Sequence, residues 1–180
     1  MNKKVLRSKL KKKREKQSFS QKLNAENLIT DALFTFNEVK VAKNVFVYLS
    51  FNKEVGTEKV IGKLMQMGKN VYVPKIYNDV MKAVQFKSPF IKNSFGIVEP
   101  ENDIEGEDID LIITPLLGFD GSLNRIGYGK GYYDKYFSDK GKKAFKIGLA
   151  FDFQYVKNAY PNENDVPLDV IITDKKIYKR

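Results

Sequence analysis

Asn44-Val45-Phe46-Val47-Tyr48-Leu49-Ser50, then a helical stretch from Thr57 to Gly68, then Val71-Tyr72-Val73-Pro74-Lys75-Ile76: this succession decides how the chain folds. A short apolar run bounded by turn residues reads as a buried strand. Thr57 is of a capping type, Val60, Leu64 and Met67 share one helical face, and Gly68 is a stop signal. A strand–helix–strand unit of this kind builds a parallel sheet. Working toward the C-terminus, Lys82–Lys87 reads as a further strand and Asn93–Glu107 as a polar loop. Ile109–Thr114 is a strand entering Pro115, residues 121–131 are rich in glycine, and a helix opens at Tyr132–Ser138. Phe145–Phe151 and Val170–Thr173 are strands on either side of the polar loop Asn158–Pro167. Toward the N-terminus, Ser20–Phe36 carries an apolar helical stripe of Leu23, Leu28, Ile29, Ala32, Leu33 and Phe36. Residues 2–17 read as a basic helix with Val5, Leu6 and Leu10 as its apolar side chains. The expectation is an α/β fold: one domain over residues 1–180, three layers around a mainly parallel sheet. The helices of residues 1–36, the basic one first, pack on it.

Composition narrows the chemistry. With 180 residues, 42% hydrophobic and 13% aromatic, the chain can bury a core. It contains neither Cys nor His, which excludes disulfides, thiolate nucleophiles, the usual zinc sites and Ser-His or Cys-His catalysis. Carboxylates, Lys, Arg and Tyr remain, a set suited to a hard cation such as Mg²⁺ and to electrostatic work on phosphate. No apolar run approaches the roughly 20 residues of a membrane helix. The basic N-terminus has no apolar segment behind it that would make a signal peptide. A cytoplasmic location and no membrane partner are expected. The net charge of +10 is localised: residues 1–22 hold ten basic residues against Glu15 alone, a balance of +9.

Arg125-Ile126-Gly127-Tyr128-Gly129-Lys130-Gly131-Tyr132-Tyr133-Asp134 is the segment most suited to chemistry. Its spacing is neither the dinucleotide fingerprint nor a P-loop. Alternating glycines let backbone N–H groups approach an anion, a helix start follows, and Arg125 and Lys130 add charge. Asp134 falls in the first helical turn, where it can help to hold a cation bridging phosphates. By spacing alone, a glycine-rich turn before an aromatic helix accounts for the segment equally well. In the basic helix, Lys3 and Arg7 lie one turn apart and can face one nucleotide. A nucleic-acid arm or a solvated charged face, the latter above all for Lys9–Lys16, are the other readings. Glu54 follows the first strand, where α/β sheets present ligand loops, and Asp165 lies in a turn-rich stretch. Neither stands out locally.

Taken together, Lys3-Lys4-Val5-Leu6-Arg7, Tyr48-Leu49-Ser50 with Glu54-Val55 and Thr57, Gly96-Ile97-Val98-Glu99-Pro100, Pro115 through Asp134, and Asn162 to Pro167 form an ordered pattern. It resembles the 5-formyltetrahydrofolate cyclo-ligase family, whose members are also called 5,10-methenyltetrahydrofolate synthetases. The resemblance runs on to Leu168-Asp169-Val170-Ile171-Ile172-Thr173. It implies an α/β fold and ATP- and Mg²⁺-dependent conversion of 5-formyltetrahydrofolate to 5,10-methenyltetrahydrofolate through a phosphorylated formyl intermediate. Carried over, the ATP contacts fall on Lys3, Lys4, Val5, Leu6 and Arg7, and on Arg125, Ile126, Gly127, Tyr128, Gly129, Lys130, Gly131, Tyr132 and Tyr133. The folate contacts fall on Leu49, Glu54, Tyr128, Gly129, Lys130, Gly131 and Tyr132. Asp134 and Asp165 match the metal positions, and Arg125 and Lys130 are assigned to transition-state charge. Small-molecule partners are implied, ATP and the reduced folate. A polyglutamate tail on the latter would meet the Lys9–Lys16 charge. No dedicated nucleic-acid partner is expected.

Four positions depart from the family pattern. Gly56 stands where an acid is usual, Val98 for a proline, Asn164 for a histidine, and Leu123 for a turn glycine whose bend Gly121 is expected to take over. Two rivals remain at this level: a nucleic-acid-binding protein using residues 1–22, and a kinase acting on another small molecule.

Overall fold

The computed structural model describes residues 2–92 and 98–179. The basic segment forms α1 (Lys3–Glu15), capped by the Asn2 side chain, which accepts from the Val5 N–H. α2 (Phe19–Leu33) begins with a Ser18–Gln21 capping box, and a short α3 (Asn37–Val41) follows. The strand–helix–strand unit is β1 (Asn44–Val47), α4 (Glu58–Gln66) and β2 (Asn70–Tyr77). β3 (Val80–Gln85) returns along β2, and β4 (Phe90–Lys92) pairs with β5 (Val98–Pro100) in a small hairpin. Then come β6 (Leu111–Pro115), β7 (Gly118–Phe119), β8 (Arg125–Ile126) and α5 (Tyr132–Ser138). β9 (Phe145–Leu149), β10 (Val170–Ile172) and β11 (Ile177–Lys179) complete the succession.

Seven strands form the main sheet in the order β11-β10-β9-β6-β1-β2-β3. The inner five run parallel, and the two edge strands, β3 and β11, are antiparallel. Side-chain alternation along the inner strands explains the three layers. Val45 and Val47 of β1, and Leu111 and Ile113 of β6, point to one face and pack with Ile29, Leu33, Val60 and Leu64 of α2 and α4. Phe46 and Ile112 point to the other and pack with Tyr136 and Phe137 of α5. All four strand residues of the first face, and both of the second, are fully buried, so both faces of the sheet are covered, as parallel sheets require.

A third, smaller cluster seats α1: Leu6 and Leu10 pack on Leu117, Ile126 and Ala159. The approach is close. A β-carbon at Gly118 would come within 2.5 Å of Leu10 Cδ1, so the β7–β8 hairpin has room for α1 only because position 118 lacks a side chain.

Several local expectations are corrected. The helix expected over Ser20–Phe36 stops at Leu33, where Thr35 donates its hydroxyl to the Ala32 carbonyl, and α3 is separate. Thr57 occupies the cap position of α4 without capping it; its hydroxyl, buried, donates to the Tyr48 carbonyl at 2.7 Å. Val5 is exposed, so only Leu6 and Leu10 form the seat of α1. Part of the expected loop Asn93–Glu107 is strand β5, while residues 93–97, including Gly96 and Ile97 of the family pattern, lie outside the described residues. The bend near Leu123 does not move to Gly121. Leu123 itself adopts φ +65 and is buried, a left-handed conformation unusual for a branched side chain and held here by burial.

Candidate active site

Parallel α/β sheets place ligand clefts beyond the carboxyl ends of their strands. Here a cleft of about 890 Å³ opens there, lined by Tyr48 and Leu49 after β1 and Pro115 at the end of β6. That volume suits a substantial small-molecule ligand. The segment Gly127–Lys135 forms its floor, Lys3, Arg7 and Lys11 of α1 line one wall, and Pro74, Ile76 and Met81 of β2 and β3 give an apolar side. Asn162, Asn164 and Asp165 close the far edge.

The glycine segment is presented by the β7–β8 hairpin, and the hairpin is held by one buried carboxylate. Asp120 accepts the backbone N–H groups of Ser122 and Asn124 and, across the chain, of Ala159. This fixes Arg125, which is also buried and lies 5.3 Å from the ring centroids of both Tyr133 and Phe137. Arg125 Nη2 is 2.8 Å from Asp134 Oδ2, yet neither that nitrogen nor Nε makes an aligned hydrogen bond. The guanidinium is therefore charge-matched but keeps donors to spare, a state suited to meeting a further anion. Lys130 is exposed on the loop and has no carboxylate in ion-pair range among the described residues. Gly129 has φ +107, and a β-carbon there would meet the Arg7 guanidinium carbon at 3.3 Å. Arg7 closes this end by donating from Nε to the Gly127 carbonyl at 2.8 Å.

Two carboxylates stand at this end. Asp134 Oδ1 accepts the N–H of Val166 at 3.2 Å, which brings it against the residue next to Asp165. Asp165 accepts the Asn162 N–H at 2.7 Å and pairs with Lys3. Each acid is thus matched by one cation, Arg125 or Lys3. Two carboxylates brought to one end of the cleft, Asp134 against the residue next to Asp165, are the kind of oxygen donor set that a Mg²⁺ ion would complete with waters and phosphate oxygens. The residues present fit that ion.

At the other end the geometry is of a different kind. Phe51, Asn52, Lys53 and Glu54 make a tight turn in which Asn52 and Lys53 have φ +51 and +57. The turn bends the Glu54 side chain back, so that Oε2 accepts the Phe51 N–H at 2.9 Å. Oε1 accepts the Tyr128 hydroxyl at 2.6 Å. The Tyr128 oxygen in turn accepts from Arg14 Nη2 at 2.6 Å. Burial pushes the Glu54 carboxyl above its ordinary range, while the hydrogen bonds from Tyr128 and Phe51 and the charge of Arg14 pull it back. Burial, and then the Glu54 charge, push the Tyr128 phenol up, so it stays a neutral donor.

Of the residues expected in the site, Lys3, Arg7, Leu49, Glu54, Arg125, Gly127 through Asp134, and Asp165 all line this one cleft. Lys4, Val5, Leu6 and Ile126 do not. Lys4 and Val5 are exposed, and Leu6 and Ile126 are buried together in the seat of α1, where they set the position of their neighbours. Sequence reasoning did not place Lys11 or Arg14 in the site itself; their run, Lys9–Lys16, read as a solvated charged face or as a contact for a polyglutamate tail. The signal was present: Lys3, Arg7, Lys11 and Arg14 recur at spacings of four, four and three, one helical stripe.

The fold and cleft define an α/β protein with one large ligand site, charged at one end and half apolar at the other. The chain belongs to the 5-formyltetrahydrofolate cyclo-ligase family, an enzyme family whose sequence model matches residues 1–174. It is 32% identical to the 5-formyltetrahydrofolate cyclo-ligase of Haemophilus influenzae over 178 residues, covering 93% of this chain and 95% of that one. Among solved structures it is similar to the 5,10-methenyltetrahydrofolate synthetase of Aquifex aeolicus, with a TM-score of 0.88, 28% identity and coverage of 99% and 93% of the two chains. The corresponding synthetase of Mycoplasma pneumoniae aligns with a TM-score of 0.81 and 27% identity, covering 97% and 99%.

Proposed function

We propose that this enzyme converts 5-formyltetrahydrofolate to 5,10-methenyltetrahydrofolate, with ATP as co-substrate and Mg²⁺ at Asp134 and Asp165. The observation that carries this reading is that one cleft joins a cation-rich glycine loop to a buried, hydrogen-bonded carboxylate, Glu54, about an apolar wall. The first end suits a triphosphate and the second a flat heterocycle that offers N–H donors. Nearly full-length relatives named for this reaction support it.

The formyl oxygen attacks the terminal phosphorus of ATP, the bond from that phosphorus to the bridging oxygen breaks, and ADP departs. The second folate nitrogen then attacks the activated formyl carbon and loses its proton. The carbon–oxygen bond breaks, phosphate leaves, and the methenyl bridge remains. No covalent nucleophile on the protein is required, which accords with a chain lacking Cys and His. The protein's work is alignment and charge stabilisation. Arg125, with unused donors beside the glycine loop, and Lys130, unmatched by an acid among the described residues, take up charge on the transferring phosphoryl group. Lys3 and Arg7 hold the remaining phosphates from α1, and Leu49 packs against the folate while Glu54 accepts from its pterin ring. The Mg²⁺ ion, when bound, offsets the charge of the phosphate chain.

The test is formation of the methenyl product, followed by its near-ultraviolet absorbance, with ATP, with Mg²⁺, with both and with neither. Product only when both are present supports the reading. A folded protein that binds ATP and makes no product would move the assignment to phosphoryl transfer onto a different small molecule.

A further inference from the structure

Arg14 is only 3% exposed. Among the described residues it has no carboxylate in ion-pair range, and its Nη1 is buried without a hydrogen-bond partner. A buried guanidinium in that state is costly unless its charge is answered nearby. The answer lies one hydroxyl away: Arg14 Nη2 donates to Tyr128, and Tyr128 donates to Glu54, both at 2.6 Å. The guanidinium carbon also lies 5.8 Å from the Tyr128 ring centroid. Tyr128 itself is on a glycine-flanked loop and is partly exposed, so nothing in its own backbone would hold its hydroxyl in one direction.

We propose that Arg14 is a positioning residue for the folate end of the cleft: it fixes the Tyr128 hydroxyl, and through it the Glu54 carboxylate, in the direction and charge state that folate requires. This rests on the assignment of Glu54 to the folate. Because the hydroxyl accepts from a cation and donates to an anion, each bond polarises the other. Arg14 does not line the cleft. It sits on α1, whose other inward cations run from Lys3 and Arg7 at the phosphate end to Lys11 over the Tyr128 ring, so a single helix braces both halves of the site.

The groups facing Glu54 are Arg14 from α1, Tyr128 from the glycine segment, Tyr48 from the end of β1 and Tyr133 from α5. The nearby acid of α2, Glu26, is paired with Lys22. Arg14 is the only cation in the first group, so its removal shifts Glu54 further upward. In Arg14→Met the folate KM should rise about tenfold, as for loss of one charge-assisted hydrogen bond, while the KM for ATP stays unchanged. The acid limb of kcat/KM for folate should move to higher pH. Arg14→Lys, which keeps a charged donor, should restore the limb toward its original position. In a Tyr128→Phe background the same change at Arg14 should add little, because the link through which it acts is already broken. The cycle is run with Arg14→Lys as well as Arg14→Met, and thermal melting accompanies each variant, so one poorly folded protein does not decide the outcome. Equal effects of Arg14 changes with and without the Tyr128 hydroxyl, or an equal rise in both KM values, would overturn the proposal. Glu54→Gln separates the two levels. If it leaves folate KM unchanged, the folate assignment falls and this inference with it. If it raises folate KM while neither Arg14 variant does, only the role of Arg14 falls.

Discussion

The two ends of the cleft hold their charges differently. At the end proposed for the phosphates, cations and acids are matched in direct pairs, Lys3 with Asp165 and the buried Arg125 with the partly exposed Asp134. At the folate end a buried carboxylate is approached only by neutral or relayed donors, Phe51 N–H and the Tyr128 hydroxyl. On the proposed reading the first arrangement can be exchanged: an incoming triphosphate and its cation would take over both halves of each pair. The second is preformed, since a buried acid held on both oxygens has little to rearrange. On the proposed reading, the cleft has one end whose pairs would reorganise on binding and one that is built in advance.

The largest test of this contrast is Asp134→Asn. It removes both the partner of Arg125 and half of the proposed metal pair, and turnover should fall at least about 100-fold, some 3 kcal/mol of transition-state stabilisation, with the fold retained by circular dichroism. An undiminished rate at limiting Mg²⁺ would put the cation elsewhere. Next in size is Glu54→Gln, which should raise folate KM by about 10- to 30-fold and leave the ATP KM alone. A comparable rise in the ATP value would mean the ends are not separate. The wild-type pH profile sharpens the same point. Burial holds the Glu54 carboxyl above its ordinary range, so folate affinity should depend on pH through this group. On acidification it should fall while ordinary carboxylates are still ionised, and Glu54→Gln should abolish that limb. Gly129→Ala should follow at about 1–2 kcal/mol, because φ +107 strains any side chain and its β-carbon presses on Arg7. Its signature is a higher ATP KM together with a lower melting temperature. Smallest of all, Lys12→Gln and Lys13→Gln, exposed and off the cleft, should change stability by less than about 0.5 kcal/mol and either KM by less than about twofold.

The layers of the fold were legible because β1 and β6 are continuous apolar runs flanked by helical periodicity, and α5 began where the glycine spacing implied. Of the antiparallel edges, β3 reads from the sequence as a strand displaced by two residues, and β11 does not read as one at all. β11 spans only Ile177–Lys179, and no local feature of Ile177-Tyr178-Lys179 says it will pair with Val170–Ile172. Thr57 misled for a physical reason: the same hydroxyl that could cap α4 donates instead to the buried carbonyl of Tyr48, just past β1. In the site, Arg125 and Asp134 stood out locally in the glycine segment, whereas Glu54 was reached only through the ordered family pattern, since no local rule separates it from any loop acid. Arg14 escaped because a charge run reads as a solvated face. Only the fold reveals that one stripe of that run turns inward, where Leu6 and Leu10 draw it onto the β7–β8 hairpin. Two of the four departures are met locally: the Gly56 N–H is held by Glu26, and Leu123 bends the chain in the glycine's place.

The seat of α1 has one more consequence, for the order in which the molecule comes together. Its links to Tyr128, Gly127 and Asp165 span 114, 120 and 162 residues of chain. At a synthesis rate of about 5–20 residues per second, this helix leaves the ribosome on the order of ten seconds before anything exists for it to dock against. Leu6 and Leu10 are without a partner for that interval. The lysines that flank them, whatever they later meet, keep the waiting segment in water, and the cleft is completed only when the last third of the chain arrives.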